Sequence, residues 1–135
     1  MRSIDCRCEG LRGDGTRYPV DQYPFLPKDP GEYDNVFQIQ AAGLRQRLRT
    51  IKAVPVVGLS GGLDSALAIL VAVAAAEKPS DVHAVIMPGF GTTDRTRNNA
   101  HKLAQALGAT IKEVDICAAV RQHFADIGQI GRAHV

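Results

Sequence analysis

The stretch VPVVGLSGGLDSALAIL, residues 54–70, constrains the fold more than any other part of the chain. A short apolar run breaks into Ser60-Gly61-Gly62-Leu63-Asp64-Ser65, and an apolar helical pattern resumes at once. Residues 54–59 are mostly β-branched and apolar on both faces, the pattern of a buried parallel strand. Pro55 is acceptable there because proline is tolerated near the first residue of a strand. A strand that turns through paired glycines into a helix opens a β–α unit whose next strand runs parallel to the first.

The flanking sequence repeats that unit. Asp29-Pro30-Gly31-Glu32 supplies an N-cap, a proline at the first helical position and an acid in the first turn. Phe37, Ala41, Leu44, Leu48 and Ile51 then fall on one helical face. Arg45, Arg47 and Arg49 lie mostly off it and read as a solvated charged side, a phosphate-attracting helix being the alternative. A second helix is expected over residues 64–76, and a strand over 81–87, where Val82, Ala84 and Ile86 alternate with His83 and Val85. After a loop at 88–91, Thr93 or Thr96 caps a third helix that carries Ala100, Leu103, Ala104 and Leu107 on one face and ends at Gly108. Residues 110–115 read as a third strand, and Ile116, Val120 and Phe124 mark a last amphipathic stretch. The order α–β–α–β–α–β–α predicts an α/β fold, a Rossmann-like parallel sheet with flanking helices and right-handed crossovers. Such sheets bind ligands at the carboxyl ends of their strands, which here are residues 58–65 and 87–95.

Composition narrows the partners. A formal net charge of +2 over 135 residues argues against nucleic acid or a membrane surface, and a 45% hydrophobic content is that of a globular domain. No apolar run reaches the length of a membrane span, and MRSIDCRCEG has no apolar signal core, so a cytoplasmic location is expected. Cys6, Cys8 and Cys117 make an odd set without a metal-binding companion pair and read as free thiols. His83, His101 and His123 have no spaced partner and read as surface or core residues. Residues 1–28, rich in Gly, Arg, Asp and Pro, read as a linker or tail that docks on another domain.

The glycine turn can do chemistry. A helix N-terminus offers unpaired N–H groups and partial positive charge, and Gly61-Gly62 lets an anion approach the backbone. Ser60 and Ser65 add hydroxyls. The turn carries no lysine and no G-x-G-x-x-G, so two better-known phosphate loops are excluded. It carries Asp64 instead, and a carboxylate beside phosphates calls for a cation between them, which Mg²⁺ supplies. The same residues also allow a plain tight turn with Asp64 as a helix cap.

Ser60-Gly61-Gly62-Leu63-Asp64-Ser65 resembles the S-G-G-x-D-S signature of the PP-loop ATP pyrophosphatases, a superfamily with an adenine nucleotide alpha hydrolase-like fold. The segments MPGFGTTDRTRNNA (87–100), Leu107-Gly108 and QHFADIG (122–128) are similar to glutamine-dependent NAD synthetases. YPFLP (23–27) and IQAAGL (39–44) resemble the segment joining that family's two domains. The resemblance implies ATP-dependent amidation of deamido-NAD to NAD through an adenylate, with ammonia drawn from glutamine by a separate glutaminase domain. It implies that Gly58, Leu59, Ser60, Gly61, Gly62, Leu63, Asp64 and Ser65 bind the phosphates of ATP, that Met87 lies near the adenine, and that Asp64 holds Mg²⁺. It also implies a homo-oligomeric full-length enzyme. The glutaminase domain is absent here, and no cysteine of this chain stands for its nucleophile.

Residues 29–129 correspond on this resemblance to the first half of the synthetase domain, an incomplete sheet. Residues 130–135, IGRAHV, are also the translation of ATCGGAAGAGCACACGTC, a common sequencing-library adapter, and are expected to be an artefact. The isolated chain is expected to bind ATP weakly, to lack complete catalysis and to be poorly soluble, because an open strand edge and an apolar sheet face remain. The alternatives are another PP-loop ligase, GMP synthetase-like or tRNA-modifying, and a non-catalytic ATP-binding module. The loop at 88–94 argues against the first.

Overall fold

The computed structural model describes residues 23, 24 and 26–128. Residues 1–22 and 25 of the expected tail at 1–28, with Cys6 and Cys8, and the expected artefact at 130–135 lie outside the described residues.

Two of the helices begin where a capping side chain predicts. Helix α1 (Pro30–Ile51) starts at Asp29, whose carboxylate accepts the Glu32 N–H at 3.0 Å. Glu32 in turn accepts the Lys28 N–H at 2.6 Å, so two backbone donors at this end are satisfied by side chains. Strand β1 (Val56–Gly58) leads through the glycine turn into α2 (Leu63–Ala75). A short 3₁₀ turn at Pro79–Asp81 precedes β2 (His83–Ile86). Helix α3 (Asp94–Ala106) is capped by Thr93 rather than Thr96: Thr93 Oγ1 accepts the Thr96 N–H at 3.3 Å. Gly108, with φ +69°, follows the end of α3 in the left-handed conformation that glycine adopts at no steric cost. Strand β3 (Thr110–Glu113) and helix α4 (Cys117–Asp126) complete the chain described. Replacing Thr93 by Ala removes one cap and is expected to cost about 1 kcal/mol, read as a lower urea midpoint at unchanged slope.

The three strands form one parallel sheet in the order β1-β2-β3. The register pairs Val57 with Ala84 and Ala84 with Ile111. Both crossovers step the same way along the sheet, so right-handed connections bring α2 and α3 to the same face. The core lies there: Ile69 and Ala72 of α2 and Ala100 and Ala104 of α3 pack with Ala84 and Ile86, and with Val57 and Ile111 at partial burial. The alanines let the helices approach the sheet closely, and Ile69 supplies the largest buried side chain of α2. Helix α1 lies against α2 and contributes Leu44 to this core.

Three expectations need correction. Residues 54–59 do not form a strand buried on both faces. β1 spans three residues at the edge of the sheet, and Val56, on the face away from the helices, is 66% exposed. Packing on one side makes apolar alternation and an apolar run look alike when only one face is filled. The arginines of α1 are not uniformly solvated either. Arg45 is half-buried and its Nη2 donates to the carbonyl of Ala74 at 2.6 Å, supplying a partner to a C-terminal carbonyl of α2 that has none within its own helix. The apolar face of α1 is shallower than its spacing suggests, since Ala41 alone is fully buried and Ile51 is exposed.

Candidate nucleotide site

The glycine turn sits at the carboxyl end of β1, beside the loop that leaves β2. Backbone pairing continues past the strand, with Leu59 N–H donating to Val85 O at 2.8 Å, which fixes where the turn begins. Inside the turn the serines face each other. Ser65 Oγ donates to Gly62 O at 3.0 Å, which uses its single proton. Ser60 Oγ, 3.0 Å from Ser65 Oγ, is therefore the donor of that pair, and it accepts the Gly62 N–H at 3.3 Å. The Ser60 N–H donates to Ser65 Oγ at 3.3 Å. The two hydroxyls, expected as ligand donors, are tied into the turn and hold its shape.

The donors left over are backbone N–H groups. The first bond closing α2 runs from Ala66 N–H to Gly62 O, so the amides of Leu63, Asp64 and Ser65 precede the hydrogen-bonded ladder. Gly62 occupies the N-cap and no side chain caps it, in contrast to Asp29 of α1 and Thr93 of α3. Asp64 is thus a first-turn residue and not the cap that a plain turn would make of it. Its carboxylate is exposed and takes no hydrogen bond among the described residues. Leu63 is 85% exposed beside it.

Gly61 is fixed by a neighbour. Its φ is +81°, and a Cβ placed on it would lie 2.1 Å from the carbonyl oxygen of Thr96 in α3. The first turns of α3 are therefore packed backbone to backbone against the glycine turn. Between them lies a cleft of about 350 Å³, with Gly58, Leu59 and Ser60 on one side and Met87, Thr92, Thr96 and Arg97 on the other. Gly58 lies beside Met87: a Cβ there would meet Met87 Cε in ordinary contact at 3.5 Å. A second cleft, of about 370 Å³ and lined by Arg45, Arg49, Glu77 and Asp81 among others, lies where α1 and α2 end and β1 begins. It sits at the opposite strand ends from the glycine turn, and open α/β sheets bind at the carboxyl ends.

The wall beyond Met87 is braced twice. The Thr92 hydroxyl accepts the Gly89 N–H at 3.0 Å, and Ile116 N–H donates to Pro88 O at 3.1 Å, so the start of α4 holds the loop. Arg121 of α4 stands 5.1 Å over the Phe90 ring. Asp115 accepts the Cys117 N–H at 2.7 Å, which lowers its carboxyl pKa, while Asp115 and burial raise that of the Cys117 thiol.

The model of the NAD synthase family matches residues 36–133. This chain belongs to that family. It is 42% identical over 138 aligned residues to the glutamine-dependent NAD(+) synthetase of Mycobacterium tuberculosis (strain ATCC 25618 / H37Rv), an alignment covering 95% of this chain and 20% of that one. The fold is similar to that of a glutamine-dependent NAD+ synthetase from Acinetobacter baumannii solved with adenosine diphosphate, with a TM-score of 0.68 and 27% identity over 80% of this chain and 20% of the other. An NMN synthetase from Francisella tularensis is similar at a TM-score of 0.64 and 26% identity, over 78% of this chain and 42% of the other. The chain thus spans about a fifth of the length of the curated NAD synthetases it matches.

Within this NAD synthase fold, the residues singled out in the sequence divide in two. Gly58, Leu59, Ser60 and Met87 line the cleft, while Gly61, Gly62, Leu63, Asp64 and Ser65 form the turn and helix start behind and beside it. Thr92, Thr96 and Arg97 line the cleft as well; they lie in the 87–100 segment named for its resemblance but were given no site role. Arg97 bonds through Nη2 to Glu113 Oε1, and Glu113 Oε2 lies 2.5 Å from His101 Nε2. Arg97 first and His101 second hold the Glu113 carboxyl below its ordinary range, and Glu113 raises Arg97 in return. A depressed carboxyl contributes stability that is present above its unfolded pKa and is lost as pH falls through the folded one. On acidification, the Glu113 carboxyl carbon is therefore expected to titrate by NMR below the ordinary glutamate range, and Arg97→Ala is expected to move that midpoint up. No described helix is long and apolar enough to cross a membrane.

Proposed function

We propose that this chain forms the nucleotide-activating part of a glutamine-dependent NAD synthetase, an ATP-dependent amide ligase. In this reading the nicotinate carboxylate of deamido-NAD attacks the α phosphate of ATP and pyrophosphate leaves. Ammonia then adds to the activated carbonyl and AMP departs, giving NAD. The ammonia would come from a glutaminase domain outside this chain, and the full-length enzyme would be a homo-oligomer. The observation that carries the reading is the uncapped start of α2, with three leading amides, in the turn whose Ser60 lines a cleft. The adenosine diphosphate held by the Acinetobacter baumannii relative supports a nucleotide as occupant.

The chain's own residues would divide the work. The amides of Leu63, Asp64 and Ser65 would donate to phosphate oxygens, where helix-dipole charge adds to the hydrogen bonds. Gly61 and Gly62 would let the phosphates reach that backbone. The Ser60–Ser65 ring would keep the turn rigid, so that little reordering is needed when the anion binds. Met87 would offer an apolar surface to the adenine. Among the described residues no group of three acidic, histidine or cysteine side chains gathers to hold a metal alone. Mg²⁺ is commonly held by one or two carboxylates together with substrate phosphates. Asp64 is the open carboxylate at this site, and the ion would supply charge neutralisation between it and the phosphates. A plain anion-binding turn without chemistry is the rival reading.

Magnesium-dependent binding of ATP by the 135-residue chain, and magnesium-dependent pyrophosphate release from ATP and deamido-NAD by the longer protein, test the proposal. Both are expected. ATP binding with no pyrophosphate release in the longer protein would leave a binding module and reject the ligase.

A further inference from the structure

We propose that Arg97 is a second anion-binding arm of the cleft, directed at a phosphate group of the bound nucleotide and held in place by Glu113 and His101. The inference rests on the nucleotide reading given above.

Three observations lead to it. First, among the described residues that line the cleft, Arg97 carries the single charged side chain. The glycine turn has no lysine, and its Asp64 is a further negative charge. Backbone amides give the turn directed but uncharged donors, and a guanidinium on the opposite wall adds a charged, forked donor to them. Second, the position is set by backbone. Thr96, the residue before Arg97, presses its carbonyl against Gly61. The arginine therefore leaves α3 one residue from the contact that locks the glycine turn. Third, the guanidinium is braced. Glu113 of β3 holds it through one oxygen and gives its other oxygen to His101, one helical turn beyond Arg97 on the same side of α3.

The brace explains how an exposed arginine can act with direction. Arg97 is 47% exposed at its side chain, and a free arginine at that exposure loses side-chain entropy when a ligand orders it. Holding it beforehand reduces that loss on binding. The ion pair also cancels its long-range charge, so Arg97 orients an anion already in the cleft more than it draws one from solution. Asp94 and Asp115 add to the negative field around it. When a phosphate takes the guanidinium, His101 still holds the Glu113 carboxylate.

The test is calorimetric titration of the 135-residue chain with magnesium-ATP, magnesium-pyrophosphate and adenosine. Arg97→Ala is expected to weaken ATP and pyrophosphate about tenfold, the size of a lost charge-assisted bond, and to leave adenosine unchanged. Arg97→Lys, which keeps charge without the fork, is expected to recover part of the loss. Glu113→Gln is expected to weaken pyrophosphate about threefold and to have no further effect once Arg97 is alanine, whereas a merely structural role would persist in both backgrounds. Thermal unfolding of each variant checks that the fold is intact. Arg97→Ala binding pyrophosphate as tightly as the wild type would overturn the inference alone. An equal loss for adenosine would also overturn it, by making the effect one of shape. A wild-type chain that binds neither ATP nor pyrophosphate would overturn the nucleotide reading and this inference with it.

Discussion

Gly61→Ala is expected to lose most of the chain's ATP affinity and roughly 2–5 kcal/mol of stability, the sum of a left-handed alanine and an overpacked contact. The two costs have separate origins. At φ +81° an L side chain is strained wherever it points. The added methyl would also sit 2.1 Å from Thr96 O and 2.9 Å from Thr96 C, which are backbone atoms with no rotamer to change. Relief requires the start of α3 to move away from the turn, and that movement widens the cleft and displaces the wall that Thr96 and Arg97 share with Met87. The neighbouring positions make the controls. A Cβ at Gly62 would meet Ser60 Oγ at 3.4 Å, and one at Gly91 would meet nothing within 4 Å. Gly91→Ala is therefore expected to unfold near the wild-type urea midpoint, and Gly62→Ala, which changes an N-cap without a backbone clash, to lose less than Gly61→Ala. An unchanged midpoint for Gly61→Ala would mean that α3 does not rest on the turn.

Much of this arrangement is legible in the chain itself, for local reasons. The alternation of helices and strands follows from periodicity, and the caps at Asp29 and Thr93 follow from side chains that bond three residues ahead. Gly108 ends α3 because the chain there takes a positive φ. What was not legible depends on partners distant in sequence. Val56 looks like a core residue in a run of apolar neighbours, yet its burial depends on whether anything covers its face of β1. Arg45 looks solvated by its charge, but a carbonyl 29 residues away holds it. Arg97 and His101 share a helical face by spacing, a weak hint. Their common partner Glu113 is reached only through the register of β3, which places it 16 and 12 residues downstream. The same applies to the cleft. The signature names Gly61, Gly62, Asp64 and Ser65, which build the turn, while Thr92, Thr96 and Arg97 of the opposing wall come from a connection the signature does not include.

Asp64→Ala is expected to change ATP binding in opposite directions with and without magnesium. In magnesium, the variant is expected to bind ATP at least about tenfold more weakly, because one carboxylate ligand is lost from an ion that takes few protein ligands. With the ion chelated, it is expected to bind ATP more tightly than the wild type, because a carboxylate one residue from the phosphate-facing amides repels bare phosphates. The fold should hardly respond. Asp64 is exposed, its side chain takes no hydrogen bond among the described residues, and Gly62 rather than Asp64 occupies the cap. What remains is its interaction with the helix dipole, about 0.3–1 kcal/mol, partly offset by the better helix propensity of alanine. A cap would behave differently: its loss would lower the urea midpoint and leave nucleotide binding alone. A carboxylate that merely repels would also differ, giving tighter ATP binding in both conditions. Reversal of sign on adding magnesium is the one pattern that requires an ion between Asp64 and the phosphates. In the longer protein the same substitution is then expected to remove magnesium-dependent pyrophosphate release, since the group that aligns the leaving phosphates is gone.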